Sequence, residues 1–250
     1  MTDARHNLGV TVSPLGDLHA AIAWASRSGL RGVQWGATEP GARPRDLGPS
    51  ARRELRALLS RFELQCSGVD ALVPPAHFSD PANVDRAVEA VAAACGLAAD
   101  LGHAPVTVRL PEPDPASSTR KDAIAAIERA AERVGVVVAD LSGGAGARWP
   151  PVGAAIDPAA CLAAGADPVA AVAGAGARVA AVRVVDLSRD GVRGPVGDPR
   201  SGRVDVLAYR IAVESTGFGG MPVIDCRGWR EPAAGVLASA LAWARAVGHP

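Results

Sequence analysis

The chain has 250 residues, enough for one large domain, and 48% of them are hydrophobic, which excludes a disordered protein. Its 26 basic and 26 acidic residues balance, whereas nucleic-acid-binding proteins usually carry a basic excess, so we expect no nucleic-acid partner. The N-terminus lacks the apolar core of a signal peptide, and no apolar stretch is an uninterrupted membrane span. Four widely spaced cysteines form no CxxC pair, so we expect buried, reduced thiols and a cytoplasmic location.

Short apolar runs alternate with segments of helical composition along the whole chain. The apolar runs predict eight strands, at 8–13, 32–35, 64–70, 105–110, 135–140, 152–157, 179–186 and 221–226. The segments rich in Ala, Leu, Arg and Glu predict helices at 17–29, 50–62, 80–102, 117–134, 158–175, 204–216 and 230–247. Three helix starts carry signatures: a cap at Asp17, a near capping box of Ser50 with Glu54, and Asp80 followed by Pro81.

Eight strand–helix units predict a (β/α)8 TIM barrel that forms a single domain over residues 1–250, because each parallel crossover needs a helix. A doubly wound open sheet is the alternative, but it usually has fewer strands, and no glycine fingerprint follows the first strand. Only "LSGGAGARWPP" separates the fifth strand from the sixth, so we expect the fifth helix to be short or absent. The "GGAGA" within it is a weak phosphate-binding signal, because no adequate helix follows.

Three predicted strands end on a carboxylate, at Asp140, Asp157 and Asp225. The carboxyl ends of barrel strands converge on one mouth, where like charges need compensation by a metal ion or a basic side chain. Arg183 lies inside the seventh strand, and strand alternation places it in the barrel interior. We predict that it pairs with Asp157 and Asp225, because an unpaired buried guanidinium is very costly.

Further candidates lie at strand ends or in the loops that follow them: Asp70, Arg109, Trp35, Trp149 and Trp229. The charged groups would contact a ligand, and indole faces often stack on sugar rings. Each candidate also has a structural alternative. The tryptophans could pack in the core or in loops, and Asp157, which directly precedes Pro158, suits a helix cap.

Five segments in chain order carry a family resemblance. They are "GLRGVQW", "SARRELRALLSRFELQCSGVDAL", "GAAIDPAACLAAGADPVAAV", "RVAAVRVVDLSRDG" and "GDPRSGRVDVLAYRIAVESTGFGGMPVIDC". Together they resemble the second strand, the second helix with the third strand, and the last three strand regions of one family. That family is the sugar phosphate isomerase/epimerase group of xylose isomerase-like TIM barrels, and the resemblance covers nearly the whole chain.

The resemblance implies a metal site that this chain has altered. Active members of the family hold one divalent ion with Glu, Asp, His and Glu at four strand ends, and two of the glutamates serve as acid and base. By position these residues correspond to Asp140, Asp157, Arg183 and Asp225, so that only Asp157 is unchanged. Arginine has no lone pair to offer a metal and brings its own positive charge. We predict that Arg183 replaces the ion, that the protein needs no cofactor, and that Mn²⁺ and Mg²⁺ are disfavoured.

Two functions remain open at this point. The first is an isomerase or epimerase of a small sugar or polyol, with Asp140 and Asp225 as the acid/base pair. In it Asp70, Arg109, Asp157 and Arg183 would bind substrate. The second is a non-catalytic relative that keeps the barrel and binds a small ligand or a partner. A DNA-repair endonuclease on the same barrel is disfavoured, because it needs many histidine ligands and a basic surface.

Overall fold

Eight parallel strands close into a barrel in the computed structural model, which describes residues 6–114, 116–141, 152–198 and 202–246. The first seven barrel strands are β1 (His6–Thr11), β2 (Leu30–Gly36), β3 (Gln65–Ala71), β4 (Val106–Val108), β5 (Val138–Asp140), β6 (Gly153–Ile156) and β7 (Val179–Val184). A separate antiparallel pair follows, β8 (Asp186–Leu187) with β9 (Arg193–Gly194). The last strand, β10 (Val223–Ile224), pairs with both β7 and β1 and closes the barrel, so the predicted (β/α)8 fold is confirmed.

The helices of the described residues are α1 (Leu18–Arg27), α2 (Pro49–Arg61), α3 (Val84–Asp100), α4 (Ser118–Val134), α5 (Pro158–Ala163), α6 (Pro168–Ala175), α7 (Val206–Ser215) and α8 (Pro232–Arg245). The cap at Asp17 is confirmed, because its carboxylate accepts a hydrogen bond from the backbone N–H of Ala20. The predicted single helix at 158–175 is wrong. Gly165 adopts a left-handed φ of 73° that ends α5, and Asp167 then caps a new helix that begins at Pro168.

Two other predicted helix starts are wrong by a few residues. The helix α2 begins at Pro49 behind Gly48, so Ser50 already lies inside the helix and caps nothing. The helix α3 begins at Val84, because residues 81–83 form a turn. The expected short or absent fifth helix, the "GGAGA" segment and Trp149 fall on residues 142–151, outside the described residues, and stay predictions.

Polar side chains fill the upper interior of the barrel. Strand side chains alternate between its two faces, and at this level the inward positions are polar. Gln34, Asp70, Thr107 and Arg183 point inward and are buried. Gly68 makes room for them, since a Cβ there would lie 3.0 Å from Cδ of Gln34. The barrel therefore carries a polar layer just beneath its mouth, while the apolar core lies between strands and helices.

None of the helices in the described ranges combines the length and apolarity needed to cross a membrane. The cysteines Cys95, Cys161 and Cys226 are buried, as predicted, whereas Cys66 is only half-buried. Burial raises the pKa of the Cys95 thiol to about 11, so this thiol stays protonated at neutral pH.

Candidate functional site

A buried ion pair lies at the centre of the barrel. Arg183 is 1% exposed, and its Nη2 donates a hydrogen bond to Oδ1 of Asp70. Its Nη1 donates to Oε1 of Gln34, and Nη2 also lies 3.2 Å from Oγ1 of Thr107. The predicted interior position of Arg183 is confirmed, and its buried charge is neutralised by a carboxylate with two further hydrogen-bonding partners.

The predicted partners of Arg183, which were Asp157 and Asp225, are wrong. The register places Arg183 beside Val223, so Asp225 lies two residues closer to the mouth. The guanidinium instead extends across the interior to the strand-end carboxylate of Asp70. Arg183 therefore does not stand between Asp157 and Asp225, the acids that the sequence resemblance aligned with metal ligands.

A different arginine bridges those acids. Arg193 Nη1 and Nη2 donate to the two carboxylate oxygens of Asp157 at 3.2 and 3.0 Å, and Nη2 also donates to Oδ2 of Asp225 at 3.0 Å. Arg193 belongs to β9. This strand follows β7 in the chain and is held in place by its antiparallel pairing with β8. Asp186 in β8 anchors this segment, because its carboxylate accepts hydrogen bonds from the backbone N–H groups of Arg203 and Val204.

A third arginine joins the two layers. Arg227 Nε and Nη2 donate to Oδ1 and Oδ2 of Asp225 at 2.7 and 2.6 Å. Its Nη1 lies 2.9 Å from Oδ2 of Asp70, close enough for an ion pair but without hydrogen-bond alignment. The acids at the ends of β3, β6 and β10 are thus linked through arginines into one network.

Sequence reasoning missed Arg193 and Arg227. Arg227 had a signal, because "DCRG" puts a guanidinium two residues after a strand-end acid, within reach of it. Arg193 had none. It lies in "SRDGVRG", an irregular stretch whose path over the mouth depends on the tertiary fold.

Asp157 serves both as a helix cap and as part of the charged cluster at the mouth. Its Oδ1 accepts a hydrogen bond from the backbone N–H of Ala160 at 3.0 Å, so it caps α5 as its position before Pro158 predicted. The same carboxylate accepts both hydrogen bonds from Arg193. The helix cap therefore fixes the orientation of a side chain that also forms part of the mouth.

The carboxylate of Asp140 is buried at the end of β5. Its Oδ1 accepts a hydrogen bond from the backbone N–H of Leu110 at 3.0 Å, which ties β5 to the chain leaving β4. Arg109 is exposed and lines the cavity described below. The structure therefore brings Asp157, Asp225 and Arg109 to one mouth, with Asp70 buried beneath it, and Asp140 is not among the described residues that line the cavity.

The two tryptophans proposed to bind a ligand pack in the core instead. Trp35 is 1% exposed, because Gln34 points into the barrel and the next side chain must point toward the helices. Trp229 belongs to the same core cluster and packs so closely on Gly235 that a Cβ there would lie 2.6 Å from its ring. Neither lines the cavity, so the stacking role predicted for them is corrected to packing.

A cavity of about 610 Å³ opens at the carboxyl end of the barrel. Its charged surface is supplied by five side chains, Arg109, Asp157, Arg193, Asp225 and Arg227. The segment after β3 supplies an apolar wall of Leu72, Val73, Pro74 and Pro75. Its size falls within the roughly 300–1,000 Å³ typical of small-molecule sites.

The electrostatics of Asp225 follow from its arginine neighbours. Burial by itself would raise the pKa of this carboxyl. The hydrogen bonds from Arg227 and the positive charges of Arg183, Arg227 and Arg193 outweigh burial and hold the pKa well below its usual range. Asp225 is therefore a permanent anion at neutral pH, paired with permanent cations.

This arrangement predicts that the fold loses stability in acid. Because the pKa of Asp225 is lower in the folded chain than the usual value of about 3.9, the ionised carboxylate stabilises the fold above that pH. That contribution is lost as the pH falls below about 4. Urea unfolding across this range should show a falling free energy of unfolding, and the slope should be shallower in Asp225→Asn. An equal slope in both proteins would contradict the assignment.

The residues at the mouth do not fit the divalent ion that the fold family implies. No group of three or more His, Cys, Asp or Glu side chains suited to a metal ion occurs in the parts of the chain that the structure describes. Both carboxylate oxygens of Asp157 and of Asp225 accept hydrogen bonds from guanidiniums, so the lone pairs that a metal needs are engaged. Arg193 also places a positive charge between these two acids.

Comparison with known proteins agrees with this fold. The family model described as xylose isomerase-like TIM barrel matches residues 22–143. A sugar phosphate isomerase/epimerase from Parabacteroides distasonis superposes with a TM-score of 0.68 at 16% identity, over 98% of this chain and 96% of that one. The D-psicose 3-epimerase with D-tagatose from Clostridium cellulolyticum H10 gives 0.71 at 12% identity, over 96% and 99%.

A D-allulose 3-epimerase from Methylomonas sp., in complex with D-allulose, gives a TM-score of 0.67 at 16% identity over 97% of both chains. Comparison with curated protein sequences gives no significant match. Identities this low show a shared fold, and the activities belong to those proteins. The chain therefore folds as a (β/α)8 TIM barrel, and about half of it matches the xylose isomerase-like family model.

Proposed function

We propose that this protein binds a small sugar or polyol in the cavity at the barrel mouth and does so without a divalent metal ion. The observation that carries the proposal is the bridge of Arg193 between Asp157 and Asp225, which lies in the surface of that cavity. It supplies fixed positive charge where a metal-dependent relative would need an ion, and it leaves a cavity of about 610 Å³ beside it.

The lining suits a polyhydroxylated ligand. Guanidinium N–H groups can donate to hydroxyl oxygens, and the apolar wall formed by residues 72–75 can cover the C–H face of a sugar. Solved proteins of the same fold support this ligand class, since one is described with D-tagatose and another in complex with D-allulose.

Binding without catalysis fits the acids better than isomerisation does. An acid/base pair of Asp140 and Asp225 would need a carboxyl whose pKa lies near the working pH. The arginines hold the pKa of Asp225 far below that range, so it cannot donate a proton and is a weak base. The catalytic alternative would replace this proposal if the wild-type protein turned over a sugar and if Asp140→Asn and Asp225→Asn each lowered that turnover.

The proposal is tested by titrating the full chain with sugars in buffer that contains EDTA. Isothermal titration and thermal unfolding are measured with D-fructose, D-tagatose, D-glucose, D-sorbitol, D-gluconate and D-glucuronate. A ligand at 100 times its Kd stabilises a protein by about 2.7 kcal/mol, so binding of any of these compounds should raise Tm measurably.

A matched pair of variants locates the site. Leu72→Trp fills the cavity from its apolar wall without removing a charge, and it should weaken binding at least tenfold. Leu237→Trp makes the same change at an equally exposed position on α8 and should leave binding unchanged. The absence of binding by every compound, or equal binding by Leu72→Trp and wild type, would overturn the proposal.

A further inference from the structure

The hydrogen-bonding capacity of the cavity is unbalanced. Both oxygens of Asp225 are saturated, since Oδ1 accepts from the backbone N–H and Nε of Arg227 and Oδ2 accepts from Arg227 and Arg193. Each guanidinium has five N–H donors, and these pairs leave part of that capacity unused on Arg193 and Arg227. The charged surface therefore offers donors to a ligand and few acceptors.

A further arginine adds donors without an acid to neutralise it. Arg109 follows β4 on the same face as Thr107, which points into the barrel, and it lines the cavity. Among the described residues it makes no hydrogen bond and no ion pair, and its side chain is exposed to the cavity.

The net charge of the cavity lining is positive, which also favours a ligand that accepts hydrogen bonds. Of the described residues that line the cavity, three are arginines, Arg109, Arg193 and Arg227, and two are acids, Asp157 and Asp225. These five side chains carry a net charge of +1, and Asp70, which also contacts Arg227, is already paired with Arg183. A neutral sugar would leave that charge and its N–H groups without an anionic partner.

We propose that the ligand is a sugar acid whose single carboxylate is bound by Arg109, an inference that rests on the proposed function. A carboxylate has the charge that the lining lacks, and its two oxygens match the planar fork of a guanidinium in a bidentate pair. A phosphate monoester carries about −1.5 to −2 at neutral pH and would overcompensate one excess charge. The hydroxylated remainder of the ligand contacts Arg193 and Arg227, against the wall at residues 72–75.

Isothermal titration compares ligands that differ in the acid group. The compounds are D-glucuronate, D-gluconate, D-glucose, D-sorbitol and D-glucose 6-phosphate, each in EDTA-containing buffer at one ionic strength. We expect at least one of the two sugar acids to bind tenfold or more tightly than its neutral counterpart and than the phosphate ester.

Arg109→Ala should abolish that preference, lowering the affinity for the acid at least tenfold and that for the neutral sugar less than threefold. Arg31→Ala is the matched control, because it removes an exposed arginine near the start of β2, at the opposite end of the barrel. A neutral sugar that binds as tightly as its acid would overturn this inference and leave the proposed function standing. Tighter binding of the phosphate ester would also overturn it, whereas no binding by any compound would overturn the proposed function itself.

Discussion

Asp70→Asn is expected to lower the free energy of unfolding by about 3–5 kcal/mol, since breaking a buried ion pair leaves an uncompensated buried charge. The charge left behind is that of Arg183, which is 1% exposed and whose only ion-pair partner in the described residues is Asp70. Asn keeps the size of Asp and one acceptor oxygen but replaces the other oxygen with an NH2 donor, so the change removes the negative charge with little change in volume. The measurement is urea unfolding at neutral pH.

A surface ion pair provides the matched control. Arg52 and Asp100 are 2.8 Å apart, but the side chain of Asp100 is 52% exposed. Asp100→Asn removes the same charge and should cost less than about 1 kcal/mol. Equal losses in the two variants would show that Arg183 does not depend on Asp70.

The double variant Asp70→Leu with Arg183→Met removes both charges of the pair, whereas Asp70→Asn removes only one. Apolar residues of similar volume often replace a buried ion pair at little cost. We therefore expect the double variant to be more stable than Asp70→Asn, even though two buried groups are changed. A double variant that is less stable than Asp70→Asn would mean that the polar layer stabilises the barrel beyond its charge balance.

Arg193→Ala is expected to lower the free energy of unfolding by about 2–3 kcal/mol, because it removes the positive charge between Asp157 and Asp225. The loss should be smaller than that of a fully buried pair, since the side chain of Arg193 is 31% exposed. Among the described residues, the same substitution leaves Asp157 without an ion-pair partner and frees Oδ2, while Oδ1 still caps α5.

A divalent ion then has a position that it lacks in the wild-type protein. We expect Mn²⁺ to raise the Tm of Arg193→Ala and to leave the wild-type Tm unchanged, because hard cations bind carboxylate oxygens that are free to coordinate. Arg189→Ala, an exposed arginine in the turn between β8 and β9, controls for the loop and should change stability by less than about 0.5 kcal/mol. An equal response of wild type and Arg193→Ala to Mn²⁺ would refute the view that Arg193 excludes the ion.

The arginines also show which features of the site could be predicted from the local sequence pattern. Alternation along β7 placed Arg183 in the interior, and the same alternation along β2 puts Gln34 inward, so Trp35 could have been assigned to the core. The partner of Arg183 could not be assigned in this way. The choice between Asp70 and Asp225 depends on how deep each residue lies in the barrel, which the strand register sets.

The sequence by itself determined the barrel and the mouth. Eight apolar runs separated by helical segments allow few other closed arrangements, and acids at the last residues of parallel strands must gather at one end. Only the tertiary structure decided the ion pairs. Arg193 meets Asp157 and Asp225 because an irregular segment after β7 crosses the mouth, and no local periodicity encodes that path. Contacts between residues distant in sequence depend on strand stagger and loop course, which are properties of the closed barrel rather than of any one segment.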